Sequence, residues 1–162
     1  MLKNSFKFEL KTNVVSGSDS IKSIYGFLKV KNFKKIGLIL DKNLYKNSKY
    51  IRNFVKTFSE RQKLKKILYF DEIHEPTYQY LNHVVSELKK KKSNKFDCII
   101  AIGGGSVIDH AKGIATLLKN TGDSLKYKGF PKKLNPSIPL IAIPSTTGTG
   151  AELAYNAVFT DL

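Results

Sequence analysis

Apolar residues fall along this chain in two alternating patterns. Four short, continuous apolar runs occupy residues 36–40, 67–70, 98–102 and 140–143. A run without polar alternation suits a strand buried on both faces, as in a parallel sheet. The segments between the runs carry apolar residues at helical spacing. Ile21, Ile24, Tyr25 and Leu28 fall at i, i+3, i+4 and i+7, as do Ile51, Phe54, Val55 and Phe58, and again Leu81, Val84, Val85 and Leu88. In a fourth predicted helix Val107, Ile108, Ala111, Ile114, Ala115 and Leu118 form one stripe. The first three strands recur at roughly 30-residue intervals, the length of a βαβ unit. This alternation predicts a doubly wound, mostly parallel α/β sheet of the Rossmann-like kind, with right-handed crossovers. Residues 3–16 are expected as a strand or hairpin at the sheet edge. Residues 121–137, with Gly122, Gly129, Pro131 and Pro136, are expected as a loop. No repeat, low-complexity tract or linker divides the chain, so residues 1–162 are read as one domain.

Composition agrees with a folded domain: 162 residues, 41% of them hydrophobic, are enough to build a core. No apolar run approaches the roughly 20 residues a membrane helix needs. The first residues lack the apolar block of a signal peptide. Cys98 is the single cysteine; it sits in a predicted strand, reads as a core residue, and fits a reducing cytoplasm. The net charge of +15 raises the question of a nucleic-acid partner. The lysines, however, are spread over the whole length, often on the polar faces of helices. The densest cluster, residues 89–92, closes a predicted helix, where cations complement the dipole. Arginine, the residue that reads bases bidentately, is scarce. The charge is therefore read as a solvated face, with neither nucleic acid nor membrane expected as a partner.

Candidate chemistry gathers at two loops. The third strand runs into Gly103-Gly104-Gly105-Ser106 and then directly into a helix. Glycines let the backbone take positive φ and approach a ligand closely. The helix start offers unpaired N–H groups and a partial positive charge, a combination suited to a pyrophosphate. The usual G-x-G-x-x-G fingerprint is not met, because Ile108 stands where its last glycine would be, and no Walker lysine follows. The competing reading is a tight turn in which Ser106 and Asp109 form a capping pair, with Asp109 a cap or scaffold residue and not a catalyst. The fourth strand ends in Pro144-Ser145-Thr146-Thr147-Gly148-Thr149-Gly150-Ala151-Glu152. Its hydroxyls suit ribose, phosphate or an amide. A Ser/Thr-rich turn bonding its own backbone explains them equally well.

Together, GGGSVIDHAK at residues 103–112 and IPSTTGTGAE at residues 143–152 resemble the paired motifs GGGSxxDxAK and IPTTxGTGSE of iron-containing (group III) alcohol dehydrogenases. Ser16-Gly17-Ser18 stands where that family has an early glycine turn. Leu40-Asp41-Lys42-Asn43-Leu44 resembles its strand-end TDxxL, and residues 70–77 resemble its FDxV…NPT segment. Dehydroquinate synthases instead have D-x-x-G-F after the glycines, and glycerol dehydrogenases have GGGK. Ser106 and Thr147-Gly148-Thr149-Gly150 favour the iron-type branch. Ser145 and Ala151 depart from the family's threonine and serine at their positions. The resemblance implies the N-terminal nucleotide-binding domain of the dehydroquinate synthase-like superfamily. It implies that Gly103, Gly104, Gly105 and Ser106 hold a cofactor pyrophosphate, and that Ser145, Thr146, Thr147 and Thr149 contact the ribose and nicotinamide side. Asp41 stands where the family places an acid near the adenosine ribose, which favours NAD over NADP; the alternative for Asp41 is a plain polar strand-end residue.

The resemblance further implies a small alcohol or aldehyde substrate and a divalent iron or zinc. In the family that metal is held by one aspartate and three histidines of a helical second domain, and it acts as a Lewis acid on the substrate oxygen. This chain ends just past residues 157–161, which resemble the family's AVxTD, about halfway through the family pattern. No catalytic residue and no metal ligand is therefore assigned. His74, His83 and His110 fall on a loop and two helices without metal-site spacing, and His110, off its helix's apolar stripe, is expected to be exposed. The expectation is a cofactor-binding half that is inactive alone. It would be a remnant, or one part of a split enzyme completed by a complementary C-terminal chain or a homo-oligomer.

Overall fold

The computed structural model describes residues 12–62, 64–71, 75–90, 95–129 and 134–162. Among them, four strands form one sheet: β1 (Ile36–Asp41), β2 (Leu64–Phe70), β3 (Cys98–Gly103) and β4 (Leu140–Pro144). Their order is β2-β1-β3-β4, and each adjacent pair is parallel. β1 and β3 are buried at every position, which is why their sequences are apolar up to Asp41 at the end of β1. Successive residues feed opposite cores. Ile39, Ile99 and Ala101 pack against α4 (Tyr78–Lys90) and α5 (Gly105–Leu117). Leu38, Leu40, Ile100 and Ile102 pack against α1 (Ile24–Val30) and α3 (Lys49–Arg61). A register irregularity lies between Ile36 and Gly37 on β1, opposite Leu64 and Lys66 on β2. It lets Leu64 and Ile67, three residues apart, both face the second core.

The chain leaves β1 toward β2 on one side and returns to β3 on the other. The sheet therefore has a topological switch point between the carboxyl ends of β1 and β3, the place where open α/β sheets bind ligands. The doubly wound parallel sheet expected from the apolar runs is present, and each strand falls within a few residues of its run.

Local chemistry explains the boundaries. Asp41 caps the short α2 (Lys42–Asn47), its carboxylate accepting from the Leu44 N–H at 2.9 Å. Ser48 caps α3 in the same way, accepting from the Ile51 N–H at 3.2 Å. The α3 and α4 stripes become buried faces through Ile51, Val55 and Phe58 and through Leu81, Val85 and Leu88. In the predicted loop a 3₁₀ turn forms at Ser124–Tyr127. Asn82 of α4 anchors it, its carbonyl oxygen accepting from the Ser124 N–H. The edge strand expected at residues 3–16 falls mostly outside the described residues, and residues 12–16 are in no strand. Lys91, Lys92 and His74 also lie outside them. No helix among the described residues is long and apolar enough to cross a membrane.

Candidate functional site

β3 and β4 are neighbours, and their register sets Gly103 opposite Pro144. Both loops therefore leave the sheet at its carboxyl edge. The Ser145 N–H donates to the Gly103 carbonyl at 2.9 Å, extending the ladder one step beyond the strands. Across the gap, a β-carbon on Gly105 would stand 3.0 Å from the Thr149 methyl and 3.2 Å from its hydroxyl oxygen. The glycine turn and the threonine–glycine loop thus touch at two points, and absence of a side chain at Gly105 is what lets Thr149 approach.

The glycines work through space and not through unusual dihedrals. Gly104, the N-cap of α5, is extended at φ −75° and ψ −173°. Neither Gly103 nor Gly105 is among the positive-φ glycines, so the expectation of positive φ in this turn is not met. Positive φ occurs instead at Gly148 (108°) and Gly150 (60°) in the partner loop. At Gly103 a β-carbon would lie 2.7 Å from Cβ of Val107, so the strand and the first turn of α5 are in direct contact there.

The helix start carries no side-chain cap. Ser106 and Asp109 do not form the capping pair that the sequence allowed. The first bond of the helix ladder runs from the Ile108 N–H to the Gly104 carbonyl, which leaves the N–H groups of Gly105, Ser106 and Val107 without intrahelical acceptors. Asp109 is buried and acts as a brace: one oxygen accepts from the Val158 N–H at 3.1 Å and the other from Lys112 Nζ at 3.3 Å. Lys112 also donates to the Asn156 carbonyl at 2.7 Å, so the pair ties residues 156–158 to α5.

His110 corrects a second expectation: it is buried, not exposed. Its ring lies 4.7 Å from that of Phe70 and edge-on to those of Tyr80 and Phe159. Nδ1 is 2.9 Å from the Ser106 carbonyl, a contact in which Nδ1–H donates. Nε2 has no partner among the described residues. Burial holds the ring's pKa below its ordinary value, against smaller upward pulls from the Ser106 carbonyl and the Asp109 charge. Cys98 is buried as expected, and burial pushes its thiol up to about 12, so it is inert near neutrality.

Ser145, Thr146, Thr147 and Thr149 are exposed on the loop. Beside them a cleft of about 270 Å³ opens at the switch point. Its wall runs from Ile102 and Ile143 through Ser145 to Leu44, Tyr50 and the turn at Gly17, Asp19 and Ser20. Leu44 joins this cleft to Asp41, whose buried carboxylate holds its N–H. Sequence reading found Ser145 and Asp41 but missed Asp19 and Tyr50. These two come from separate segments, and the Tyr50 hydroxyl meets the Asp19 carboxylate at 3.3 Å. The one sequence signal near Asp19 is the turn at Gly17, two residues before it; the left-handed φ of 60° at Asp19 itself shows only in the structure.

The iron-containing alcohol dehydrogenase family model matches residues 11–162. Alcohol dehydrogenase 4 of Schizosaccharomyces pombe is 35% identical over 134 residues, which cover 83% of this chain and 31% of that protein. A mitochondrial hydroxyacid-oxoacid transhydrogenase of Caenorhabditis elegans is 36% identical over 136 residues, covering 77% of this chain and 27% of that protein. In fold, the chain superposes on NADH-dependent butanol dehydrogenase A of Thermotoga maritima with a TM-score of 0.79 at 22% identity, over 97% of this chain and 38% of that one. The chain spans about a third or less of the length of these curated relatives. With its two loop motifs side by side at the carboxyl edge of the sheet and a family match over nearly its whole length, the chain belongs to the iron-containing alcohol dehydrogenase family.

Proposed function

We propose that residues 1–162 are the NAD-binding domain of an oxidoreductase acting on small alcohols or aldehydes. The observation that carries this reading is the contact between the two loops: Ser145 bonded to Gly103, and Thr149 packed on Gly105. One extended dinucleotide can then touch both. The free N–H groups of Gly105 and Ser106, after the uncapped Gly104, suit the pyrophosphate, with Gly103 setting the turn. Ser145, Thr146, Thr147 and Thr149 offer hydroxyls to the ribose and nicotinamide side. Asp41 faces the adenosine ribose. One of its oxygens caps α2, and a carboxylate has lone pairs left for a 2′-hydroxyl, whereas a 2′-phosphate would be repelled. The cleft beside Leu44 takes the adenosine end. In donor set and charge these residues suit NAD.

When bound, the nicotinamide accepts or delivers a hydride at the alcohol carbon. Among the described residues no group of three or more His, Cys, Asp or Glu side chains could hold a metal ion. No metal-dependent step is assigned to the described residues. The relative named as an alcohol dehydrogenase supports this substrate class.

Titrating the purified chain with NADH tests the reading through the rise in nicotinamide fluorescence. Saturable binding, weaker for NADPH, is expected; absence of binding to either would refute it. A parallel assay with NAD, Fe²⁺ or Zn²⁺ and short alcohols should show binding without turnover. Metal-dependent turnover above the no-protein blank would make this chain a catalyst in its own right.

A further inference from the structure

The acid that ends β1 has a cation beside it. Lys42, the first residue of α2, follows Asp41 directly, and its ammonium lies 2.5 Å from a carboxylate oxygen of Asp71. Asp71 is the residue after β2, and the β1–β2 register sets Asp41 beside Phe70. The ion pair therefore bridges the carboxyl ends of two adjacent strands at the place assigned to the adenosine ribose. Both side chains are 41% exposed, so a ligand can reach them. The hydrogen bond from Lys42, more than any other influence, holds the Asp71 carboxyl below its ordinary range, with the charges of Lys42 and Lys46 adding to it. Asp71 is thus a carboxylate at neutral pH.

A lysine next to the ribose acid works against a preference for NAD. NADP differs from NAD by one 2′-phosphate, which carries nearly two negative charges. An ammonium one residue from the acid is where that group would find its counterion. We propose that Asp71 is a specificity-determining residue for the cofactor: by holding Lys42 in an ion pair, it withholds that cation from a 2′-phosphate. The proposal rests on the reading that Asp41 faces the adenosine ribose. Asp71 acts through Lys42 and touches no part of the cofactor. With Asp71 present, the charges of Asp41, Lys42, Lys46 and Asp71 balance. Without it the cluster is one charge more positive, and Lys42 is free to turn toward the ligand. Exposed ion pairs of this kind contribute little to stability, so removing the carboxylate should leave the fold intact, which a circular-dichroism melt checks.

The test is a pair of titrations, NADH and NADPH, on the full chain as it stands, as Asp71→Asn, and as Asp71→Asn with Lys42→Gln. Asp71→Asn is expected to lower the NADH-over-NADPH preference by about tenfold, the scale of one water-screened contact to a nearly dianionic group. The change should shrink as salt is raised. Adding Lys42→Gln should restore the parental preference. An unchanged preference in Asp71→Asn, with NADH still bound, overturns the proposal and leaves the cofactor reading standing. An equal drop in the double variant also overturns it, because the charge of Asp71 itself would then be acting without Lys42. If the parent chain binds neither dinucleotide, the cofactor reading falls, and this proposal with it.

Discussion

Alanine at Gly103 is expected to damage both stability and cofactor binding, because the structure fixes what the new methyl meets. It would lie 2.7 Å from Cβ of Val107 and 2.9 and 3.0 Å from that residue's two methyl carbons. Ordinary carbon contacts are about 3.5–4.0 Å, so the end of β3 or the first turn of α5 must give by roughly 1 Å. Neither has slack. Val107 is buried in the core under α4 and α5, and the Gly103 carbonyl is held by the Ser145 N–H. Overpacking of this kind costs about 1–3 kcal/mol. A chain of this size loses roughly 2–4 °C of melting temperature per kcal/mol, so a drop of about 5 °C is expected. The same displacement moves the N–H groups of Gly105 and Ser106 relative to the Ser145 loop, and NADH affinity should fall with it. Second-site changes sharpen the test. Val107→Ala should not rescue, because the nearest collision is with the β-carbon that alanine keeps. Val107→Gly should rescue in part, offset by about 1 kcal/mol for glycine inside a helix. Melting by circular dichroism and NADH titration of the four proteins read these effects. A Gly103→Ala chain that melts and binds like the parent would refute the reasoning, as would rescue by Val107→Ala.

Asp41→Asn should keep the α2 cap, since asparagine caps as well as aspartate. It should relax discrimination against NADPH with little change in melting; parental binding of both cofactors with equal affinity would show that Asp41 is not the selector. For His110, burial lowers the folded-state pKa below the ordinary 6.5, so the unfolded chain takes up the proton first. Its contribution to stability is complete above about pH 6.5 and is lost as pH falls through the folded pKa, by at most about 1.4 kcal/mol per pH unit. Urea melts of the parent and His110→Phe between pH 7 and 5 should diverge as pH falls; parallel profiles would place the acid sensitivity elsewhere. Asp109→Ala removes the acceptor of the Val158 N–H and the partner of Lys112. It should cost about 1–3 kcal/mol and expose residues 156–162 to proteolysis before the rest of the chain, which a timed digest followed by mass spectrometry reads.

β1 and β3 were legible because they are buried on both faces, where apolar residues are demanded; β2 and β4, read from the same pattern, are only partly buried. The helices α3, α4 and α5 were legible because each is long enough for a 3.6-residue period to repeat. At six residues α2 has no such period, and only the cap signal of Asp41 with Leu44 marks it. The glycine turn is legible, but its glycines serve a different end: Gly103 and Gly105 are required by the approach of Val107 and Thr149, and not by dihedrals. His110 was misread because a stripe records only the face that meets the sheet. The other side of α5 is covered by Phe70, Tyr80 and Phe159, and Phe159 is brought there by the Asp109 brace. The Asp19–Tyr50 and Lys42–Asp71 pairs join residues 31 and 29 positions apart. No local pattern encodes such meetings; the parallel register and the crossovers do.

The central claim is that the carboxyl ends of β3 and β4 form one pyrophosphate-and-ribose site. Backbone amide NMR of the labelled chain, titrated with NAD, tests it most directly. The account predicts that the amides of Gly104, Gly105, Ser106 and Val107 shift together with those of Ser145, Thr146, Thr147 and Thr149, along one saturation curve. Shifts confined to one of the two loops, or lying outside both, would contradict it.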